Sequence, residues 1–226
     1  MIRHVAEFDR FLQQLQQSLW QHADGLHTVT VAEGANADVD GDLGQTVFSI
    51  KCGQIKQVVF SAGGRECLLA IRTAGDLFGE LYLTGLETRR ETATAMTKTL
   101  LIPIPRSEFL VRLSRDLLLE GFVQYLALRV ADQQEIMASL ATVDSEQRLG
   151  ATLLGLARKL GKQDPRSIRI KQRITHEEWA AMVGTTRPGI TKFLQRWREL
   201  GLIELSTEEF LIIKETKLAD YLAQIA

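Results

Sequence analysis

The chain has 226 residues, 45% hydrophobic and 24% charged, with a formal net charge of −1 and a mean hydropathy of −0.03. Such a chain buries one or two sizeable cores, which excludes disorder as its dominant state. No run approaches the ~18 apolar residues that a membrane-spanning helix needs, and no apolar run follows Arg3, so a soluble intracellular protein without a membrane partner is expected.

Residues 1–20 read as an amphipathic helix, with Phe8, Phe11, Leu12, Leu15 and Leu19 on one stripe. Short β-type runs follow at 27–31, 45–50, 54–60, 67–73 and 92–104. Gly34, Gly41, Gly44, Gly53, Gly63, Gly64, Gly75, Gly79 and Gly85 punctuate them, the pattern of an antiparallel sandwich or barrel on which the first helix packs. Cys52 and Cys67 are the only cysteines and lack ligand spacing, so no metal site is expected. They stand either as separate small core residues or, if adjacent strands bring them together, as a redox pair.

From Arg106 to about Ala141 the chain holds almost no Gly or Pro and is predicted helical throughout. Val123, Leu126, Val130, Gln133, Met137 and Leu140 recur at alternating spacings of three and four, the heptad seam of a helix that meets another helix. Self-association and burial against its own domain are the two readings of that seam. Gln133, with Gln134 beside it, sets an amide where an apolar side chain is due, which costs stability unless a partner or ligand satisfies it.

Asp144 or Ser145 can cap the next helix, which carries Leu149, Leu153, Leu154, Leu156 and Leu160 and is broken by residues 162–167. After a short strand at 168–170, Thr175-His-Glu-Glu178 is a capping box opening a helix to Val183. Gly184 supplies a turn, Thr185 or Thr186 caps again, and Pro188 falls in the first turn of a helix to about Leu200, where no donor is required. Ile190, Phe193, Leu194 and Trp197 face the core by spacing, leaving Arg187, Gly189, Lys192 and Arg196 outward. Residues 202–205 and 210–213 form a hairpin around a Ser-Thr-Glu-Glu turn. Trp179 and Trp197 are read as core aromatics, and Arg196 and Arg198 as phosphate contacts or surface charge.

Near-neutrality conceals an uneven division. Residues 1–145 carry 13 Lys+Arg against 18 Asp+Glu, residues 146–226 carry 14 against 10, and 158–198 alone hold 11 basic residues against Asp164, Glu177 and Glu178. A basic module of this kind is either a polyanion-binding surface or a solvated face. Helix, Gly-containing turn, helix and hairpin together make a winged helix-turn-helix, whose second helix can enter a DNA major groove. There Arg187 and Lys192 can reach guanine edges or backbone oxygens.

Residues 174–203 closely resemble the DNA-binding signature of the Crp/Fnr superfamily of bacterial transcription regulators. Leu77-Phe-Gly-Glu-Leu81 with Thr88-Arg-Arg90 resembles the family's phosphate-binding cassette, Ile104-Pro-Arg-Ser-Glu-Phe109 its exit into the dimer helix, and Val143-Asp144 its hinge. The resemblance implies an α+β chain: a cyclic-nucleotide-binding-like β-roll (jelly roll) over 1–115, a long dimerisation helix over 116–143 and a winged helix-turn-helix over 144–226. It implies a cytoplasmic homodimer that reads a two-fold symmetric operator in double-stranded DNA and works with RNA polymerase. Thr185, Thr186, Arg187, Pro188, Gly189, Lys192 and Arg196 are the implied DNA contacts; Pro188 stands where many members have Glu, so a different half-site base is expected.

The implied effector site comprises Gly79, Glu80, Leu81, Arg89, Arg90, Gln133 and Gln134, with Glu80 on a ribose hydroxyl and Arg89, or Arg90 if the loop is one residue longer, on the cyclic phosphate. A cyclic nucleotide is the effector class implied, but the departures count against cyclic AMP: Arg90 and Glu91 follow Arg89 where cyclic AMP binders have Ser or Thr, and Gln133-Gln134 replaces a Thr-Ser pair. Two cysteines are too few for an iron–sulfur cluster, and His27 is read as a surface or packing residue rather than a haem ligand. A regulatory module that docks on a protein is the alternative to DNA binding. No nucleophile–base pair or Walker loop suggests an enzyme.

Overall fold

The computed structural model of the protein describes residues 5–21, 27–38, 41, 44–60, 62, 64, 66–85, 88–164, 167–171, 174–206 and 211–225. The chain divides into two compact units, Met1–Gln133 and Gln134–Ala226.

In the first unit, α1 (Val5–Gln21) precedes β1 (Val29–Val31), β2 (Asn36–Asp38), β3 (Thr46–Cys52), β4 (Gln54–Phe60), β5 (Glu66–Thr73) and β6 (Leu77–Phe78). A 3-10 helix (Glu80–Thr84), β7 (Thr92–Ala95), β8 (Thr99–Pro105) and α2 (Arg106–Arg115) follow, and α3 (Leu119–Thr142) leaves the unit. The strands form two antiparallel sheets in the orders β1-β8-β3-β6 and β2-β7-β4-β5. Val31, Ile50, Ile55, Phe78, Ala93, Ala95 and Leu101 fill the space between them. A second cluster seats Phe11, Leu12 and Leu15 of α1 with Phe109 and Leu113 of α2 and with Leu118, Phe122 and Tyr125. The predicted α1 stripe is thus used; Phe8 and Leu19 have side chains outside the described residues.

The run predicted as one strand over 92–104 is two strands in opposite sheets, parted at Met96. Buried Thr99 fixes the start of β8, its hydroxyl accepting from the Gln54 amide at 3.0 Å. The strands β2 and β6, three and two residues long, leave too little alternation to be seen beforehand.

The helix predicted as continuous from Arg106 is broken at Asp116–Leu118. Leu117 adopts φ +55° and is 89% exposed, a conformation L-residues rarely take, while the Leu118 amide donates to Leu113 O at 2.9 Å. The turn lets Leu118 and Phe122 enter the cluster already holding Leu113 and Phe109. On α3 the seam is largely bare: Val123 is 58% exposed, Val130 52% and Met137 67%, whereas Leu126 is half-buried. Among the described residues, Leu126 of the seam packs on the chain's own core while Val123, Val130 and Met137 stay more than half exposed.

In the second unit, α4 (Ser145–Leu160) is followed by β9 (Lys162–Asp164), β10 (Ser167–Ile170), α5 (His176–Val183), α6 (Arg187–Glu199), β11 (Ile203–Leu205), β12 (Leu211–Ile213) and α7 (Glu215–Gln224). The sheet order is β11-β12-β10-β9, all antiparallel. Asp144 rather than Ser145 caps α4, accepting from the Glu146 and Gln147 amides at 2.8 and 3.0 Å. Thr175 and Glu178 form the expected capping box. Gly184 ends α5 at φ +63°, a left-handed turn suited to glycine. The β9 strand and α7 were not foreseen, and the hairpin turn at 207–210, with Phe210, lies outside the described residues, as do Arg166 and Arg173.

Trp179 and Trp197 are both core residues, as expected. Trp197 is fully buried with its indole N–H donating to Glu146 Oε1 at 2.9 Å, and the same carboxylate accepts from Tyr221 Oη at 2.7 Å and faces Arg196 Nη1 at 3.4 Å. A buried carboxylate needs such donors, since leaving one out exposes its desolvation cost. Tyr221→Phe is expected to lower stability by about 1–2 kcal/mol, read as a lower urea midpoint at unchanged m-value.

Candidate DNA interface and effector site

The first candidate site is the amino end of α6. Thr186 caps the helix, its hydroxyl accepting from the Gly189 amide at 3.3 Å, and Pro188 occupies the first turn. Side chains at Gly189 would press on the Thr185 and Thr186 hydroxyls, at 3.2 and 3.4 Å from a Cβ, so glycine keeps the capped turn uncrowded. Arg187 and Lys192 are exposed, and the first turn holds no acidic residue. Arg187 Nε lies 2.9 Å from Glu177 Oε1 on α5, with both side chains largely in solvent. Solvated pairs of this kind contribute little to stability, so Arg187 can leave Glu177 for another acceptor at small cost.

Beside these residues an open groove of about 1080 Å³ runs between α6 and the β11–β12 wing, lined by His176, Glu177, Arg187, Thr191, Gln195 and Arg198 among others. Thr191 donates to Arg187 O at 3.1 Å and stands 2.9 Å from His176 Nδ1, two residues the sequence reading did not single out. The structure gathers Thr185, Thr186, Arg187, Pro188 and Gly189 at one helix end, with Lys192 exposed midway along the helix. Arg196 faces outward as expected but is not isolated there. Its side chain is exposed, yet Nη1 approaches Glu146 Oε2 at 3.4 Å and the guanidinium lies 5.8 Å from the Tyr221 ring, because α7 supplies an aromatic face there.

The second candidate site lies in the first unit around Gly79. Its φ of +84° suits glycine, and a Cβ there would stand 2.8 Å from Thr46 O and 2.9 Å from Arg89 Nη1. Arg89, not Arg90, enters the site; Arg90 is exposed. Arg89 Nη2 donates to Thr46 O at 3.1 Å, its Nε lies 2.5 Å from Asp38 Oδ2, and its Cζ stacks 3.7 Å from the Tyr82 ring centroid. Glu80 is buried and ion-paired with Arg129 of α3. Burial pulls the Arg129 guanidinium down to about 9, with Arg72 adding to the shift and Asp76 and Asp132 opposing it. The second Glu80 oxygen, Oε2, is buried without a hydrogen-bond partner among the described residues, as is the Tyr82 hydroxyl.

The structure thus brings together Gly79, Glu80 and Arg89, and not all of the expected set. Leu81 is exposed, as are Gln133 and Gln134 on α3. Four neighbours were missed: Asp38, Gln57, Arg72 and Arg129. The signal for Arg129 was present, since Phe122, Tyr125 and Arg129 share one helix face and a cation on an apolar face calls for a counter-ion. Glu91 accepts from Gln57 Nε2, and Gln57 Oε1 accepts from Arg72 Nε at 2.7 Å. Burial raises Glu91 above the usual carboxylate range despite Arg72, Gln57 and Arg89. Cys52 and Cys67 are free and exposed, contrary to the core placement considered for them; Cys52 ends β3, past a register shift after Ile50. His27 is exposed, and among the described residues no three His, Cys, Asp or Glu side chains could hold a metal ion.

Residues 39–116 match the cyclic nucleotide-binding domain and residues 147–221 the Crp-like helix-turn-helix domain. The chain is 29% identical over 195 residues to a CRP-like cAMP-activated global transcriptional regulator of Mycobacterium tuberculosis, covering 86% of this chain and 87% of that one. It is 30% identical over 176 residues to the global nitrogen regulator of Synechocystis, covering 76% and 78%. Among solved structures it is similar to a CRP/FNR-family transcriptional regulator from Thermus thermophilus, with a TM-score of 0.71 and 25% identity over 88% of this chain and 98% of that one.

The Glu91 shift has a sign that stability measurements can read. A carboxyl whose folded pKa is raised above its ordinary 4.5 favours the folded state below that value, and this contribution is lost as pH rises through the folded pKa. Glu91→Gln is therefore expected to raise the Tm at pH 7, with the gain shrinking towards pH 4.

Proposed function

We propose, from the premise that the chain belongs to the Crp/Fnr superfamily of transcription regulators, that it acts as a homodimer reading a two-fold symmetric operator through paired copies of α6. The observation that carries this reading is the amino end of α6, where Arg187 stands exposed beside the Thr186 cap and Lys192 is exposed further along the helix. A capped helix end with cations can approach phosphates while Arg187 reaches a base edge. Thr185, Thr186, Pro188 and Gly189 shape the turn that sets the helix against the backbone, and Arg196, half-held by Glu146, serves as a phosphate contact.

The bare seam of Val123, Val130 and Met137 supports dimerisation through α3. Two copies joined along that seam would present their recognition helices to half-sites about one DNA turn (~34 Å) apart. The functional division is then a sensor over 1–115, a dimer helix over 116–143 and a DNA-binding domain over 144–226, acting with RNA polymerase in the cytoplasm and performing no chemical step. The effector side of the sensor is built from Gly79, Glu80 and Arg89, whereas Leu81, Arg90, Gln133 and Gln134 are exposed. Gly79 and the unfilled Glu80 oxygen suit a ribose-phosphate, but Glu91 and the Asp38–Arg89 pair oppose one, and cyclic AMP is disfavoured.

Arg187→Ala is expected to weaken binding to an operator selected from random duplexes about 10- to 100-fold in gel-shift titrations at fixed salt, with fold and dimerisation intact. Unchanged affinity would refute the assignment. Val130→Glu is expected to yield folded monomers in sedimentation equilibrium, as a charge in a paired seam must be desolvated.

A further inference from the structure

Two guanidiniums by Gly79, those of Arg89 and Arg129, are supplied with an acidic partner from within the chain, and a third is linked to one through an amide. Arg89 Nε lies 2.5 Å from Asp38, Arg129 is paired with Glu80, and Arg72 reaches Glu91 through Gln57. The first of these pairs occupies the very cation that a cyclic phosphate would need. Arg89 is closely held: Thr46 O takes Nη2 at 3.1 Å, the Tyr82 ring covers one face at 3.7 Å, and Gly44 and Gly79 stand so near that a Cβ at either would collide with the guanidinium. Asp38 arrives from β2, whose pairing with β7 shifts register between Asn36 and Asp38. A bulge of this kind re-aims a side chain, and here it accompanies a carboxylate turned to a buried arginine, both side chains being almost wholly enclosed.

We propose that Asp38 is a built-in counter-anion that occupies the phosphate subsite on Arg89, so that the β-roll excludes cyclic nucleotides and DNA binding does not depend on them. An anion that takes the Nε edge of Arg89 must replace the Asp38 carboxylate, and doing so leaves that carboxylate unpaired in a poorly hydrated place. Glu80 offsets Arg129 directly, and Glu91 faces Arg72 through Gln57, which lowers the pull on an incoming anion. This inference rests on reading the β-roll as the regulatory half of the chain.

The test is calorimetric and thermal-shift titration of the full chain with cyclic AMP and with cyclic GMP, on the wild type and on Asp38→Asn. The expected result is no binding below millimolar nucleotide for the wild type, and binding at least about a hundredfold tighter, with a nucleotide-dependent rise in Tm, for Asp38→Asn. Micromolar binding by the wild type would overturn the proposal, as would an Asp38→Asn chain that binds no better than the wild type. Should Asp38→Asn fail to fold, the Asp38→Asn/Arg89→Gln double variant decides. A recovered fold supports the pair as mutual compensation, and continued failure overturns it. Gel shifts on the wild type with and without nucleotide should agree. A chain that passes the nucleotide titrations yet binds no DNA refutes the DNA reading and leaves the Asp38 assignment standing.

Discussion

One face of α3 is consumed by the β-roll, and much else follows from that. Phe122 and Tyr125 are buried against Phe11 and Phe109, and Arg129, next on the same face, is spent on Glu80 beside Gly79. With that face committed, Val123, Val130 and Met137 stand more than half exposed, so the helix carries a second apolar stripe. The Leu117 turn exists to make this possible: without a break after Arg115, Leu118 and Phe122 could not both reach the cluster that holds Leu113. Glu80 therefore sits between two roles, lining the Gly79 site and anchoring a helix, and any change in its charge state or pairing is felt by α3 directly.

The far end of the same helix is held as firmly in the second unit. Leu140 lies against Gly184 so closely that a Cβ on the glycine would stand 2.9 Å from Leu140 Cδ2. Arg148 donates to Val183 O at 2.7 Å and also to Val143 O, tying the residue before the α4 cap to the last turn of α5. The turn of the helix-turn-helix is thus fastened to the end of α3 by one guanidinium and one glycine contact. On the opposite side of the domain, Glu146 gathers Trp197 from α6 and Tyr221 from α7, so the recognition helix is positioned by a polar contact as well as by packing of Ile190.

Local chemistry made the elements legible, and long-range pairing made the sites hard to see. Thr175 with Glu178, Thr186 before Arg187, and Gly184 between them mark helix ends by hydrogen bonds made within a few residues, which a sequence displays openly. The core stripe of α6 and the seam of α3 are equally local, because helical period alone decides them. By contrast Leu117 takes a glycine-like conformation with no glycine to announce it, and β2, β6 and β9 are too short for alternation to show. The Gly79 site suffered most. Its resemblance to a known cassette pointed to Gly79, Glu80 and Arg89, yet the partners that set its charge, Asp38, Arg72 and Arg129, come from three other elements that only the fold brings together.

Pro188 carries a consequence for whatever α6 meets. In the first turn its ring removes one amide hydrogen from the helix end and fixes φ near −65°. A polyanion approaching that end finds one backbone donor fewer, so side chains such as Arg187, Lys192 and the Thr185 and Thr186 hydroxyls must make up the difference. The same ring narrows the conformations open to the segment before contact, and a stiffer segment loses less entropy on docking. The reading end of α6 is in this sense traded from backbone chemistry towards side-chain chemistry, and the trade favours selectivity of shape over general stickiness for phosphate.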